Sequence, residues 1–155
     1  MTIVIVGVGN RLRGDDSIGS LIAETLSRQY QINQDKFQDK KIIIIDAETT
    51  PENFIDKIVQ AKPSWVIFID ACNFGGKPGE FKLFEENEIK ELAYGLLSTH
   101  TLPLTLTIEL IKKQHNCRVS LLAIQPKQLT FGEGLSLEVS AAKENVIGYL
   151  QTIIK

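Results

Sequence analysis

The segment Gly7-Val8-Gly9-Asn10-Arg11-Leu12-Arg13-Gly14-Asp15-Asp16-Ser17-Ile18-Gly19 limits the fold more than any other part of the chain. It follows the apolar run Ile3-Val4-Ile5-Val6 and leads into Ile18, Leu21, Ile22, Thr25 and Leu26 at helical spacing. That order reads as strand, glycine turn, helix, with Asp15 or Asp16 where a helix cap is expected. Phosphate-binding loops share the glycines, but two adjacent carboxylates at a helix start favour a cation over an anion. At an effective dielectric of about 20, like charges ~4 Å apart repel by about 4 kcal/mol. The helix dipole returns only roughly 0.3–2 kcal/mol to an anion.

The same alternation continues downstream. Lys41-Ile42-Ile43-Ile44-Ile45-Asp46 and Trp65-Val66-Ile67-Phe68-Ile69-Asp70 read as buried strands that each close on an aspartate. Thr50-Pro51-Glu52 opens a helix that runs to about Lys62, where Pro63 stops it. Phe81 to Phe84 is a fourth strand, and the gap after Asp70 is too short for a helical crossover, so that strand is expected to be antiparallel. Glu88 to Leu97 and Leu104 to Gln114 read as helices separated by a loop from Ser98 to Pro103. Arg118 to Ile124 is a fifth strand, and Ser136 caps a last helix. Continuous apolar strands alternating with helices predict an α/β chain: a three-layer α/β/α sandwich around a five-stranded, mostly parallel sheet. With 155 residues and no internal linker, residues 1–155 are expected to form a single domain.

The chain is 43% hydrophobic and 23% charged, with a net charge of −2, which gives no electrostatic reason to expect nucleic acid or an acidic membrane. Its apolar runs are far below the ~20 residues that span a bilayer, and its start has no signal-peptide pattern. Cys72 and Cys117 make no disulfide framework. The expectation is a reduced, cytoplasmic protein.

Three aspartates fall at the carboxyl ends of predicted strands: Asp16 after the first, Asp46 closing the second and Asp70 closing the third. Ligands of open parallel sheets bind at that edge. His100 lies in the loop Ser98-Thr99-His100-Thr101. Two carboxylates and an imidazole suit Zn, Ni, Co, Mn or Fe(II), and three protein ligands leave positions open for substrate or water. Taken singly, each aspartate also fits a helix cap or Asx-turn, and the histidine a solvated loop position. Convergence at one edge is what favours a site.

No His-Glu-x-x-His helix, Cys-x-x-Cys pair or Gly-x-Ser-x-Gly elbow occurs. Gly7-x-Gly9 with Asp46 mimics a dinucleotide-binding Rossmann fingerprint, but Leu12 stands where the third glycine belongs and Asp15 and Asp16 would face the pyrophosphate.

The chain resembles the endopeptidases that mature [NiFe]-hydrogenase large subunits, the hydrogenase-3 type above all. The resemblance rests on the order of Gly7-Val8-Gly9-Asn10, Gly14-Asp15-Asp16, Asp46, Pro51-Glu52-Asn53, Asp70-Ala71, Pro78-Gly79-Glu80, Ser98-Thr99-His100 and Ile124-Gln125-Pro126. It implies a phosphorylase/hydrolase-like fold with the fourth strand antiparallel. It implies an aspartic-type or metal-assisted protease that trims a C-terminal extension from a large-subunit precursor. The implied metal set is Asp16, Asp70 and His100, and Asp16 and Asp46 are the implied catalytic acids. The metal is nickel carried by the substrate, with Zn or Cd as surrogates in an isolated protein. A monomer is expected. Ala47-Glu48 departs from the Gly-Gly or Ala-Gly usual after that aspartate. A catalytically inactive metal- or partner-binding relative is the alternative.

Overall fold

A computed structural model of the chain describes residues 1–32, 40–95 and 101–155. The strands are β1 (Thr2–Val8), β2 (Lys41–Glu48), β3 (Trp65–Ala71), β4 (Phe81–Glu85) and β5 (Arg118–Ile124). The helices are α1 (Ile18–Ile32), α2 (Ile55–Gln60), α3 (Glu86–Gly95), α4 (Thr101–Gln114) and α5 (Leu137–Ile153). One sheet joins the strands in the order β2-β1-β3-β5-β4, all parallel except the β4–β5 pair.

Strand alternation sorts the apolar side chains into two cores. Val4, Val6, Val66, Phe68, Val119 and Leu121 face Ile58 of α2, Ile89 of α3 and Leu104, Ile108 and Ile111 of α4. Ile3, Ile5, Ile67, Ile69, Leu122 and Ile124 face Ile18, Ile22 and Leu26 of α1 and Val139, Val146 and Leu150 of α5. Both faces are covered, which is why these strands read as unbroken runs of β-branched residues. Each fully buried side chain of this kind contributes about 1.5–3 kcal/mol. Among the described residues no helix is long and apolar enough to cross a membrane.

Glycine brings α1 against the sheet. A Cβ on Gly7 would lie 2.2 Å from the Gly19 carbonyl oxygen, and one on Gly19 would lie 2.2 Å from that of Val8 and 2.3 Å from that of Ile69. Gly19 therefore supplies the close helix–strand contact that Leu12 does not.

The antiparallel β4 expected from the short connection is present. That connection is braced by Gln125, whose Oε1 accepts hydrogen bonds from the backbone N–H groups of Phe74 (2.9 Å) and Gly76 (3.1 Å). Ser136 caps α5 as expected, accepting from the Val139 N–H at 3.3 Å.

Three local expectations are corrected. The first helix is entered through a 3-10 turn, Gly14–Ser17, without a side-chain cap, because Asp15 turns inward to another loop. Thr50 likewise makes no capping bond, and a 3-10 turn (Pro51–Phe54) precedes α2. The expected loop from Ser98 to Pro103 is already helical from Thr101, since Pro103 fits a first helical turn. Residues 98–100 lie outside the described residues.

Candidate functional site at the carboxyl edge of the sheet

The chain runs from β1 outward to β2, then crosses back to place β3 on the other side of β1. The two directions of winding part between β1 and β3, the position where open α/β sheets hold ligands. Asp16 lies in the turn that follows β1, and Asp70 is the penultimate residue of β3. Both are buried, at 1% and 3% exposure. Burying a carboxylate is costly unless hydrogen bonds or a cation compensate it. Two buried carboxylates thus lie at the switch point of the sheet.

Asp46 stands apart from this pair. In the parallel register Gly7 is level with Asp46 on β2 and with Ile69 on β3. Alternation then sends Asp46 and Asp70 to opposite faces. Ile45 and Ala47 belong to the α2–α4 core, so Asp46 faces α1, where its Oδ1 accepts from the Ser20 hydroxyl at 2.7 Å. Ile69 and Ala71 belong to the α1–α5 core, so Asp70 faces the side of Phe68, Cys72 and α4. His100 lies outside the described residues; the helix that follows it in sequence packs Leu104, Ile108 and Ile111 on that same side. Among the described residues no three His, Cys, Asp or Glu side chains are grouped for a metal ion.

The two adjacent acids of the turn do different work. Asp15 is fully buried, and its Oδ2 accepts from the N–H groups of Lys127 (2.8 Å) and Gln128 (3.0 Å) and from the Ser136 hydroxyl (2.8 Å). Its Oδ1 accepts from the Ser136 N–H at 2.7 Å. These charge-assisted bonds fasten the β5–α5 loop to the turn that carries Asp16. Nothing in the local sequence announces this, because the partners lie far along the chain.

Arg11 was not singled out by the sequence reading either. Its Nη2 donates to Asp46 Oδ2 at 2.7 Å, its Nη1 to Glu24 at 2.8 Å and its Nε to the Ser20 hydroxyl at 2.9 Å. The Asp46 hydrogen bond, aided by Glu24 and opposed by partial burial, holds the guanidinium above its ordinary pKa. Glu48, two residues past Asp46, is exposed and has φ +50°, the left-handed region that favours glycine. Its N–H donates to Asp46 Oδ1 at 3.2 Å.

Leu12 and Phe131 are 67% and 66% exposed at this edge, on loops joined by the Gly132 N–H to Leu12 carbonyl bond (3.0 Å). The Arg13 guanidinium lies 5.6 Å from the centre of the Phe131 ring.

Known proteins share the fold and much of the sequence of this chain. Residues 21–153 match the family model described as HycI, hydrogenase maturation protease. The hydrogenase 3 maturation protease of Escherichia coli (strain K12) is 30% identical over 151 residues, spanning 97% of this chain and 90% of the relative. The crystal structure of a [NiFe] hydrogenase maturation protease HycI from Thermococcus kodakarensis KOD1 superposes with a TM-score of 0.83 at 33% identity, covering 98% of this chain and 91% of that one. The solution structure of an endopeptidase HycI from Escherichia coli gives a TM-score of 0.79 at 29% identity, over 100% and 92% of the two chains.

Proposed function

This chain belongs to the hydrogenase maturation protease family, and on that premise we propose that it is the endopeptidase that removes a C-terminal extension from a nickel-loaded [NiFe]-hydrogenase large-subunit precursor. The observation that carries the reading is the pair of buried aspartates, Asp16 and Asp70, at the switch point of the sheet. With the imidazole of His100 they form an oxygen and nitrogen set suited to nickel. Three protein donors leave the remaining positions of the ion to the precursor that carries it. Asp16, Asp70 and His100 thus read the metal already inserted in the substrate, and docking brings the scissile peptide to the edge.

Hydrolysis then needs a water molecule, an acceptor for its proton and stabilisation of the carbonyl oxygen. Asp16 and Asp46 are the carboxylates of this step, Asp46 being the more exposed and the one able to meet water. A cation carried by the precursor would supply Lewis acidity to this step. The enzyme acts as a monomer in the cytoplasm. Because only three of the ion's positions come from this chain, the isolated protein holds metal weakly and takes up zinc or cadmium when these are supplied.

Processing assays on nickel-loaded and nickel-free precursor test the reading. Cleavage confined to the loaded form supports it, and equal cleavage of both removes the recognition role of nickel. His100→Ala should abolish processing with little change in stability; full activity in that variant takes His100 out of the site. Glu48 favours a second reading, a binding-only relative, since it places charge and bulk at the rim where the family commonly has glycine. A mobility shift of the precursor on a gel separates the two.

A further inference from the structure

Arg11 reaches from the β1–α1 loop across to β2, where Asp46, Ser20 and Glu24 fix it in one orientation. Ser20 donates its hydroxyl proton to Asp46 Oδ1 and accepts from Arg11 Nε, so the three side chains close a ring. Such a ring immobilises a long side chain whose rotamer entropy would otherwise oppose binding. The guanidinium carries more N–H donors than these partners use, and its side chain is 38% exposed at the carboxyl edge. Its charge already faces two carboxylates, Asp46 and Glu24. A further anion would meet that acidic surround unfavourably, whereas a neutral acceptor would not.

We infer that Arg11 is a substrate-binding residue, positioned by Asp46 and Ser20, whose remaining donors take a backbone carbonyl of the extended precursor chain laid along this edge. The inference rests on the protease reading above and adds a residue to it. Asp46 then acts twice: on water, and through Arg11 on the peptide. The first role governs the chemical step and the second governs substrate affinity, so the two are separable.

The test measures KM and kcat for precursor cleavage, together with precursor binding by interferometry, in the full-length protein. Arg11→Ala should raise KM and weaken binding about ten-fold, the size expected for one charge-assisted hydrogen bond, with a smaller fall in kcat because Asp46 loses a hydrogen-bond partner. Arg11→Lys, which keeps the charge but not the fork, should fall between the two. Asp46→Asn should show the same KM increase with a separate loss in kcat, and the double variant should show no further increase in KM. Unchanged KM and binding in Arg11→Ala, or KM effects that multiply in the double variant, would overturn the inference. Thermal unfolding of each variant identifies any that is misfolded, and Arg11→Lys then serves in its place. If wild-type protein binds precursor without cutting it, the protease reading fails while the binding data still decide the role of Arg11. Absence of wild-type binding overturns both.

Discussion

The two ends of the same sheet handle charge in opposite ways. At the amino edge Trp65 Nε1 donates to Ser120, Ser120 donates to Glu85 (2.9 Å in both cases), and Arg118 grips Glu85 with two bonds of 2.6 and 3.2 Å. The Arg118 guanidinium also lies 3.9 Å from the centre of the Trp65 ring. One acid meets one base across three neighbouring strands. At the carboxyl edge Asp15, Asp16 and Asp70 are each buried, Asp46 lies on the opposite face of the sheet from Asp70, and Arg11 is bound to Asp46 and Glu24. The amino edge leaves its acid–base pair partly solvated, whereas the carboxyl edge takes three carboxylates out of water. Buried ionisable groups cluster at functional sites, whereas a solvated pair serves the fold.

Substitutions at the two edges should therefore separate stability from activity. Gly19→Ala should have the largest effect, because its Cβ would press on two backbone carbonyls and drive α1, with the Asp16 turn, off the sheet. A loss of about 3 kcal/mol or more in urea unfolding is expected, together with loss of processing. Asp15→Ala should cost about 3 kcal/mol in the same measurement, since three backbone N–H donors, those of Lys127, Gln128 and Ser136, lose their acceptor.

At the amino edge, Glu85→Gln should cost less than about 1 kcal/mol, as expected for a partly solvated pair, and should leave precursor cleavage intact. Its pH signature has a definite sign. Arg118 chiefly, with Ser120 and against burial, lowers the Glu85 pKa in the folded protein. Its contribution is therefore complete above the ordinary carboxylate range and fades as pH falls through the lowered value. Glu85→Gln should flatten that acid limb of an unfolding profile. A steep limb retained in the variant would show that Glu85 is not its source. The smallest effect is expected from Glu48→Gly, a gain of about 0.5–1 kcal/mol from relief of the left-handed backbone. Unchanged thermal stability would show that the Glu48 side chain contributes as much as its backbone costs.

The sheet was legible because its determinants are local. Runs such as Ile42 to Ile45 and Val66 to Ile69 have no amphipathic alternative, and the short connection after Asp70 leaves β4 only one direction. Asp16, Asp46 and Asp70 were legible as edge residues for the same reason. What the sequence did not disclose depends on chain closure. Asp15 reads as a helix cap until Lys127, Gln128 and Ser136 arrive from more than a hundred residues away. Arg11 carries no local signal until β2 brings Asp46 beside it. Gln125 carries no periodic signal, since its role is to satisfy N–H groups of a loop that precedes it by some fifty residues. The facing of Asp46 and Asp70 was present in their apolar neighbours, but becomes meaningful only once the helices are assigned to sides.

The strand order has a consequence for synthesis. β3 pairs with β1 on one side and β5 on the other, and β4 pairs with β5 alone. While the chain is still emerging from a ribosome, one flank of β3 and the whole of β4 have no mate until residues 118–124 are made. A nascent chain stalled near α4 would thus present a raw strand border, open to adventitious pairing with neighbours. Codon-level pausing just upstream of β5 should accordingly lower the yield of usable protein more than an equal pause after it.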